Sequence, residues 1–409
     1  MVKLNLIHAL LFALVCSFAS NLPAQVQLGG EVLATNQFKP LIGKRVGLIT
    51  NPSGVNRELQ STIDVLRRAP GVKLVALFGA EHGIRGEAGA GLALTNSIDA
   101  RTGLPVFSLY GKTRKPTPAM LKGLDALVYD IQDTGCRAYT FISTMGLAME
   151  ACAEANVEFV VLDRPNPLGG ERVEGPMVNP RFRSFVGRWD TPYVYGMTCG
   201  ELARMINGER WIPKRCKLTV IPMKNWKRGM VWRDTGLTWI PTSPHVPTGD
   251  SPMFQVATGM IGEIGGVNIA MHTAAPFQCV AAPWLDAGNF CATLNRYRLP
   301  GVRFDPVAYA SANGVNRLNG ARIYFTDPHR APLTAINFFV LEAVRSVNGR
   351  DLFVEATREG RNFVMFDKVN GTDATRRDLQ VRRSAANIVK SWKPGEEAFR
   401  QKRKKYLLY

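Results

Sequence analysis

Three stretches of the chain place ionisable side chains directly after apolar, β-branched runs. FGAEHGIRG (78–86) carries Glu81, His82 and Arg85; YDIQDTGCRAYT (129–140) carries Asp130, Gln132 and Asp133; LDRPNPLGG (162–170) carries Asp163, Arg164 and the amide of Asn166. A sheltered carboxylic acid with a second carboxylate, or a substrate group, on the opposite face is the equipment of glycoside hydrolysis. Glu81 with Asp130 or Asp133 supplies such a pair, His82 is placed to position the acid, and either retaining or inverting chemistry fits. Each residue also has a structural explanation: Glu81 as a helix cap, Asp130 as an acceptor for loop amides, Arg137 as a partner of Asp163. Three strand ends that all finish in charge favour a site, because charges at one end of a buried sheet are costly unless they serve each other or a ligand. Asp130, Asp133, Asp163 and His82 also compose the donor set of a metal-dependent hydrolase, a competing reading.

The elements that must position these groups alternate. Strands are predicted at 44–50, 72–78, 104–110, 124–131, 157–163 and 217–222, and helices at 58–68, from Thr117–Pro118, at 139–156 and at 198–206. That βαβα rhythm predicts an α/β fold, a Rossmann-like, doubly wound parallel sheet, whose ligands sit beyond the carboxyl ends of the strands. Residues 164–197 form a long Pro- and Gly-rich loop, and loops of that length are usually functional. The proline-rich stretch 239–254 reads as a crossover into a smaller α+β domain, with strands at 278–282, 302–304 and 321–326 and helices at 287–298 and 333–347. The expected division is a Rossmann-like domain over 25–245 and a C-terminal domain over 246–409.

Composition narrows the function. Hydrophobic residues at 46% and charged residues at 21% describe a globular chain, and the net charge of +18 is its unusual property. The cations are scattered, with one dense run at 400–405 that reads as a solvated helix face, and no nucleic-acid-binding motif accompanies them, so no nucleic acid is expected as a partner. Residues 1–24 read as a signal peptide: Lys3, an apolar run from Leu4 to Val15, then a small-residue exit. Export to the periplasm or the extracellular space is therefore expected, with no integral membrane segment after cleavage. The other six cysteines form no CxxC pair, and their even number fits either at least one disulfide or isolated thiols that pack as small hydrophobes. No dinucleotide fingerprint, P-loop or GxSxG elbow occurs, so no cofactor and no metal is expected. The tryptophans read as packing before sugar platforms, and His245 and His272 each read as structural.

Beyond these readings, FGAEHGIRG, TGLPVFSLYGKTRKPTPAML (102–121), YDIQDTGCRAYTFISTM (129–145), LDRPNPLGG with EGP, and the terminal KKYLLY (404–409) resemble the NamZ-type exo-β-N-acetylmuramidases. The resemblance implies a Rossmann-like domain, a smaller α+β domain and an active-site cleft between them. It implies release of N-acetylmuramic acid from non-reducing ends of a peptidoglycan-derived saccharide without metal or nucleotide. Glu81 falls on the family's proposed catalytic glutamate, with Asp130, Gln132 and Asp133 alongside and Arg137, Tyr139 and Thr140 as substrate-pocket residues. One loop departs: where the family carries a polar SEGR run and a following arginine, this chain reads NIAM (268–271) and Ala275. Either another arginine, Arg137 or Arg164, holds the sugar's carboxylate, or a different sugar is bound, or the chain binds an envelope glycan without turning it over.

Overall fold

The computed structural model describes residues 25–409 except 87, 88, 90, 93, 94 and 313. The expected signal segment 1–24 lies outside the described residues. In chain order the first domain contains α1 (Gly29–Thr35), β1 (Arg45–Thr50), α2 (Thr62–Arg68), β2 (Lys73–Gly79), β3 (Ser97–Ile98), β4 (Pro105–Ser108), α3 (Pro118–Leu121), β5 (Ala126–Asp130), α4 (Phe141–Ala155), β6 (Glu158–Leu162), α5 (Cys199–Gly208) and β7 (Leu218–Ile221). The strands form one seven-stranded sheet in the order β3-β4-β2-β1-β5-β6-β7, parallel except for the short edge strand β3. β1 pairs with β2 on one side and β5 on the other, so the chain reverses its direction of travel across the sheet at this strand.

Both faces of the sheet are covered, which is why β5 and β6 are buried at every position and read as unbroken apolar runs. Tyr129, Phe159 and Val161 pack with α4 and α5; Val128, Val160 and Leu162 pack with α1 and α2. Helix starts follow local chemistry. The Ser61 side chain accepts from the Ile63 amide and caps α2, whose first residue, Thr62, comes four residues later than the 58–68 periodicity predicts, because Leu59 sits at φ +61° in a turn closed by the Gln60 amide on Asn56. Thr198 and Glu201 cap α5 reciprocally.

The second domain begins with α6 (Ser251–Gly262), where the prolines suggest only a crossover. Pro252 lies in its first turn, where a missing amide hydrogen costs no helical bond. β8 (Cys279–Ala282), α7 (Ala287–Arg296), β9 (Val302–Ala310), β10 (Arg317–Phe325) and α8 (Leu333–Asn348) follow, and the strands form a separate antiparallel sheet, β8-β10-β9. β9 is longer than expected. It is an edge strand exposed at alternate residues, which lets Pro306 sit within it opposite Ala321.

Four more helices complete the chain: α9 (Leu352–Arg358), α10 (Val364–Asn370), α11 (Ala374–Gln380) and α12 (Ala385–Arg403). The basic run 400–405 is the solvated face expected of it at Lys402, Lys404 and Lys405, but its two arginines bond to the chain instead. Arg403 is 6% exposed and donates to the carbonyls of Gly170, Tyr195 and Gly196, while Arg400 donates to the Val173 carbonyl. The last residues return to the first domain: the Tyr409 hydroxyl donates to Asp163 Oδ2 at 2.7 Å and accepts from the Met223 amide at 2.8 Å. All six described cysteines are free and buried, so none of the candidate disulfides forms among them. Tyr409→Phe removes one donor and one acceptor from this clasp. We expect a loss of about 1–3 kcal/mol in unfolding free energy by urea titration, with an unchanged m-value.

Candidate active site

β2 delivers Glu81. The strand ends at Gly79, and the chain then turns through His82 at φ +73° and Gly83 at φ +79°. A histidine in the left-handed region is uncommon, and such strain concentrates at functional sites. The half-buried Glu81 carboxylate accepts from the Thr140 hydroxyl at 2.8 Å through Oε2 and from the Gly91 amide at 3.1 Å through Oε1. Thr140 is the N-cap residue of α4, so the positive end of that helix faces the carboxylate. Tyr110, just beyond β4, lies beside Glu81; burial first, and then the Glu81 charge, push its phenol up to about 12. Tyr139 packs edge-on against Phe141 at 4.8 Å and donates to the Thr242 hydroxyl at 2.9 Å. This bond ties the segment that leads into the second domain to the start of α4. The Phe185 ring, from the long loop, stands 6.2 Å from Tyr110 with the Arg114 guanidinium 4.4 Å above it. The loop after Glu81 is braced by Arg85, which grips Asp99 with two bonds of 2.8 and 3.0 Å; the Arg85 hydrogen bond holds the Asp99 carboxyl down at about 2.

The two aspartates of DIQD have different environments. Asp130 ends β5 and is spent on its neighbours: Arg164 donates to Oδ1 at 2.5 Å and to Oδ2 at 3.1 Å, and the Thr62 hydroxyl also donates to Oδ2. The pair lines a cavity of about 500 Å³ bounded by α1 and α2. Asp133 accepts on Oδ2 from the Tyr195 hydroxyl at 2.5 Å and the Gly135 amide at 2.7 Å. Its Oδ1 is buried without a partner among the described residues, as are Gln132 Oε1 and Thr134 Oγ1. Burial pushes the Asp133 carboxyl up to about 6, against the lowering by those two donors. The charges of both Glu81 and Asp133 reach the Tyr139 phenol.

The remaining sequence-derived candidates are built into the scaffold. Asp163 accepts from the Arg164 and Gly200 amides, the Thr198 hydroxyl and Tyr409, and burial lifts it to about 6. Asn166 bridges the Met197 carbonyl and the Leu168 amide. Arg137 is fully buried and donates to the carbonyls of Pro176, Thr191 and Val369, which joins the two domains through α10. Gln132 spends its amide on the carbonyls of Asp133 and Pro165. The structure therefore gathers Glu81, His82, Tyr139 and Thr140, with Asp133 within electrostatic reach, and sets Asp130 with Arg164, Asp163 with Asn166, and Arg137 apart as braces. Asp163 already accepts four hydrogen bonds and Asp130 three, which occupies most of the lone pairs the metal reading needs, and no group of metal donors occurs among the described residues. Tyr110, Phe185 and Thr242 join the site without a local sequence signal, being brought there by the fold alone. Trp189, Trp226 and Trp232 are buried and pack against Trp211, Tyr409 and Trp239.

Fold and site together define a two-domain α/β protein with a carboxylate centre where its parallel sheet opens toward the second domain. The chain belongs to the NamZ family: the model described as "Exo-beta-N-acetylmuramidase NamZ, N-terminal" matches residues 46–250, and the corresponding C-terminal model matches residues 256–409. Peptidoglycan beta-N-acetylmuramidase NamZ of Bacillus subtilis (strain 168) is 42% identical over 390 residues, which cover 94% of this chain and 92% of that protein. Among solved structures, a DUF1343 family protein of Bacteroides fragilis NCTC 9343 is 46% identical with a TM-score of 0.88. A second DUF1343 protein of that strain is 31% identical with a TM-score of 0.75. Each comparison covers 94% of this chain and 99% of the other.

Asp133 is open to a titration test. Its folded-state value, raised from 3.8 to about 6, makes its contribution to stability fully present below about pH 4 and lost as pH rises through 6. The unfolding free energy of wild type relative to Asp133→Asn should fall across that window, with a slope of up to about 1.4 kcal/mol per pH unit. A difference independent of pH would show that Asp133 titrates normally.

Proposed function

We propose that this chain is a glycoside hydrolase that releases terminal β-linked N-acetylmuramic acid from the non-reducing ends of peptidoglycan fragments. The observation that carries the reading is the half-buried Glu81 carboxylate, held by Thr140 and Gly91 at the mouth of the sheet, in a chain 42% identical to a peptidoglycan beta-N-acetylmuramidase. Glu81 acts as general acid: it gives its proton to the glycosidic oxygen as the bond to the anomeric carbon breaks. Water then adds to that carbon and returns a proton to Glu81. Thr140 and Tyr110 fix the carboxyl in place, and Tyr110, Tyr139 and Phe185 offer faces to the sugar. Asp133, with one oxygen uncommitted, is the second carboxyl of the site and stabilises positive charge that develops at the sugar.

Wild type should liberate the chromophore from a chromogenic β-N-acetylmuramide, and Glu81→Gln should lower kcat by about 10²–10⁴-fold without loss of folding. Equal release by both, or none by wild type, would remove Glu81 from this role. The glycan-binding reading without turnover rests on the departing loop, whose Ile269 and Ala270 are buried apolar residues. Retained binding of muramyl fragments with no turnover by wild type would favour it. We also infer export beyond the cytoplasm, into a compartment where peptidoglycan is within reach; the Lys3–Ala24 pattern supports this. N-terminal sequencing of secreted protein should find a start just after Ala19 or Ala24, and an intact Met1 would count against export.

A further inference from the structure

Between β4 and α3 the chain runs past Glu81 as LYGKTRKPT (109–117), and the basic side chains of this loop have different duties. Lys115 turns to α4, where it donates to Glu150 at 2.8 Å and to Glu154 at 2.7 Å. The start of the loop is tied as well: the Ser108 hydroxyl donates to the Tyr110 carbonyl at 2.9 Å and accepts from the Tyr110 amide at 3.2 Å. At its end the Thr117 side chain accepts from the Met120 amide and caps α3. What lies between these ties is held in place.

Arg114 lies between them. It is exposed, its guanidinium stands 4.4 Å from the centre of the Phe185 ring, and among the described residues it has no carboxylate partner. Phe185 is 6.2 Å from Tyr110, with the two rings inclined at 49°. The Tyr110 hydroxyl bonds to Glu81, and the Arg114 charge acts on the same phenol. One tyrosine thus separates Arg114 from Glu81. A cation–π contact commits no N–H of the guanidinium to an oxygen acceptor, so the fork that fits a carboxylate with two parallel bonds is unspent.

The other guanidinium groups of this region are committed. Arg164 is paired with Asp130, Arg137 with three carbonyls, Arg85 with Asp99 and Arg188 with Glu150 at 3.4 Å. The two arginines that the sequence offers for a sugar carboxylate, Arg137 and Arg164, are therefore braces. We propose that Arg114, seated on Phe185 beside Tyr110, binds the carboxylate of a carboxyl-bearing sugar whose glycosidic oxygen lies at Glu81. This deepens the muramidase reading and rests on it, because the lactyl carboxylate is what separates N-acetylmuramic acid from a neutral N-acetylhexosamine. The lactyl arm sets that carboxylate apart from the anomeric bond, which suits a cation placed one side chain away from the acid rather than against it.

Calorimetry on the full chain tests this by comparing N-acetylmuramic acid and N-acetylglucosamine on wild type, Arg114→Gln and Lys112→Gln. Arg114→Gln should weaken N-acetylmuramic acid by about 10- to 100-fold, the loss of hydrogen bonds to a charged group, and leave N-acetylglucosamine unchanged. Lys112 is exposed in the same loop, so Lys112→Gln removes the same charge and should alter neither sugar by more than about twofold. In turnover, Arg114→Gln should raise KM for the chromogenic muramide more than it lowers kcat. Where the monosaccharides bind too weakly for heat to register, that KM decides, and an unchanged value overturns the subsite. Equal losses for both sugars, an equal loss in Lys112→Gln, or no loss at all also overturns it, and the muramidase reading stands as long as wild type turns the muramide over. Absence of both binding and turnover of muramyl sugars by wild type overturns that reading and the subsite with it.

Discussion

A parallel sheet covered on both faces can keep charge only at the ends of its strands, and every charge left in the crevice at the carboxyl end must be met. In this protein Asp130 and Asp163, at the ends of adjacent strands β5 and β6, impose that constraint. Asp130 takes two bonds from the Arg164 side chain and a third from Thr62. Asp163 takes four donors, from Arg164, Thr198, Gly200 and Tyr409, all later in the chain. Removing one partner from such a buried pair strands a charge at a cost of about 3–5 kcal/mol. The geometry of α2, the start of α5 and the position of the C-terminal residue all follow from satisfying these two side chains.

With those two carboxylates spent, the site is defined by what differs from them. Glu81 stands beyond β2, on a strained turn, and is held by the Thr140 and Tyr110 hydroxyls and the Gly91 amide rather than, among the described residues, by a cation. A carboxyl without a guanidinium partner can exchange a proton with a substrate, whereas one clamped by arginine cannot do so cheaply. Asp133 lies between these extremes, with one oxygen fixed by Tyr195 and Gly135 and the other uncommitted. Glu81 beyond β2 and Asp130 and Asp133 beyond β5 thus differ in the donors each has been given, and the roles proposed for them rest on that difference.

The alternation of the first domain, with nearly every strand and its carboxyl-terminal charge, is legible in the sequence because buried parallel strands read as short apolar runs. The acidic loop after β2 is legible for the same reason, as Glu81 follows such a run directly. The division of labour among charges is not, since Asp130 and Glu81 carry equivalent sequence signals and only tertiary partners 34 or 59 residues away distinguish them. Arg137 shows the limit most plainly. It lies in the densest cluster of site-like residues, yet its guanidinium points into the domain junction, toward the carbonyl of a residue 232 positions later. The approach of His245 to His272, ring centroids 5.9 Å apart, is equally hidden, because the two lie in separate loops with α6 between them.

The C-terminal segment also makes the two domains interdependent. The hydroxyl that completes the Asp163 cluster belongs to Tyr409, and Arg403 supplies the bonds that hold the turn at Gly170 and Gly196. The carboxyl edge of the first sheet is therefore finished by residues that follow the second domain, so damage to the last helix of that domain is felt at the ends of strands it never touches in sequence.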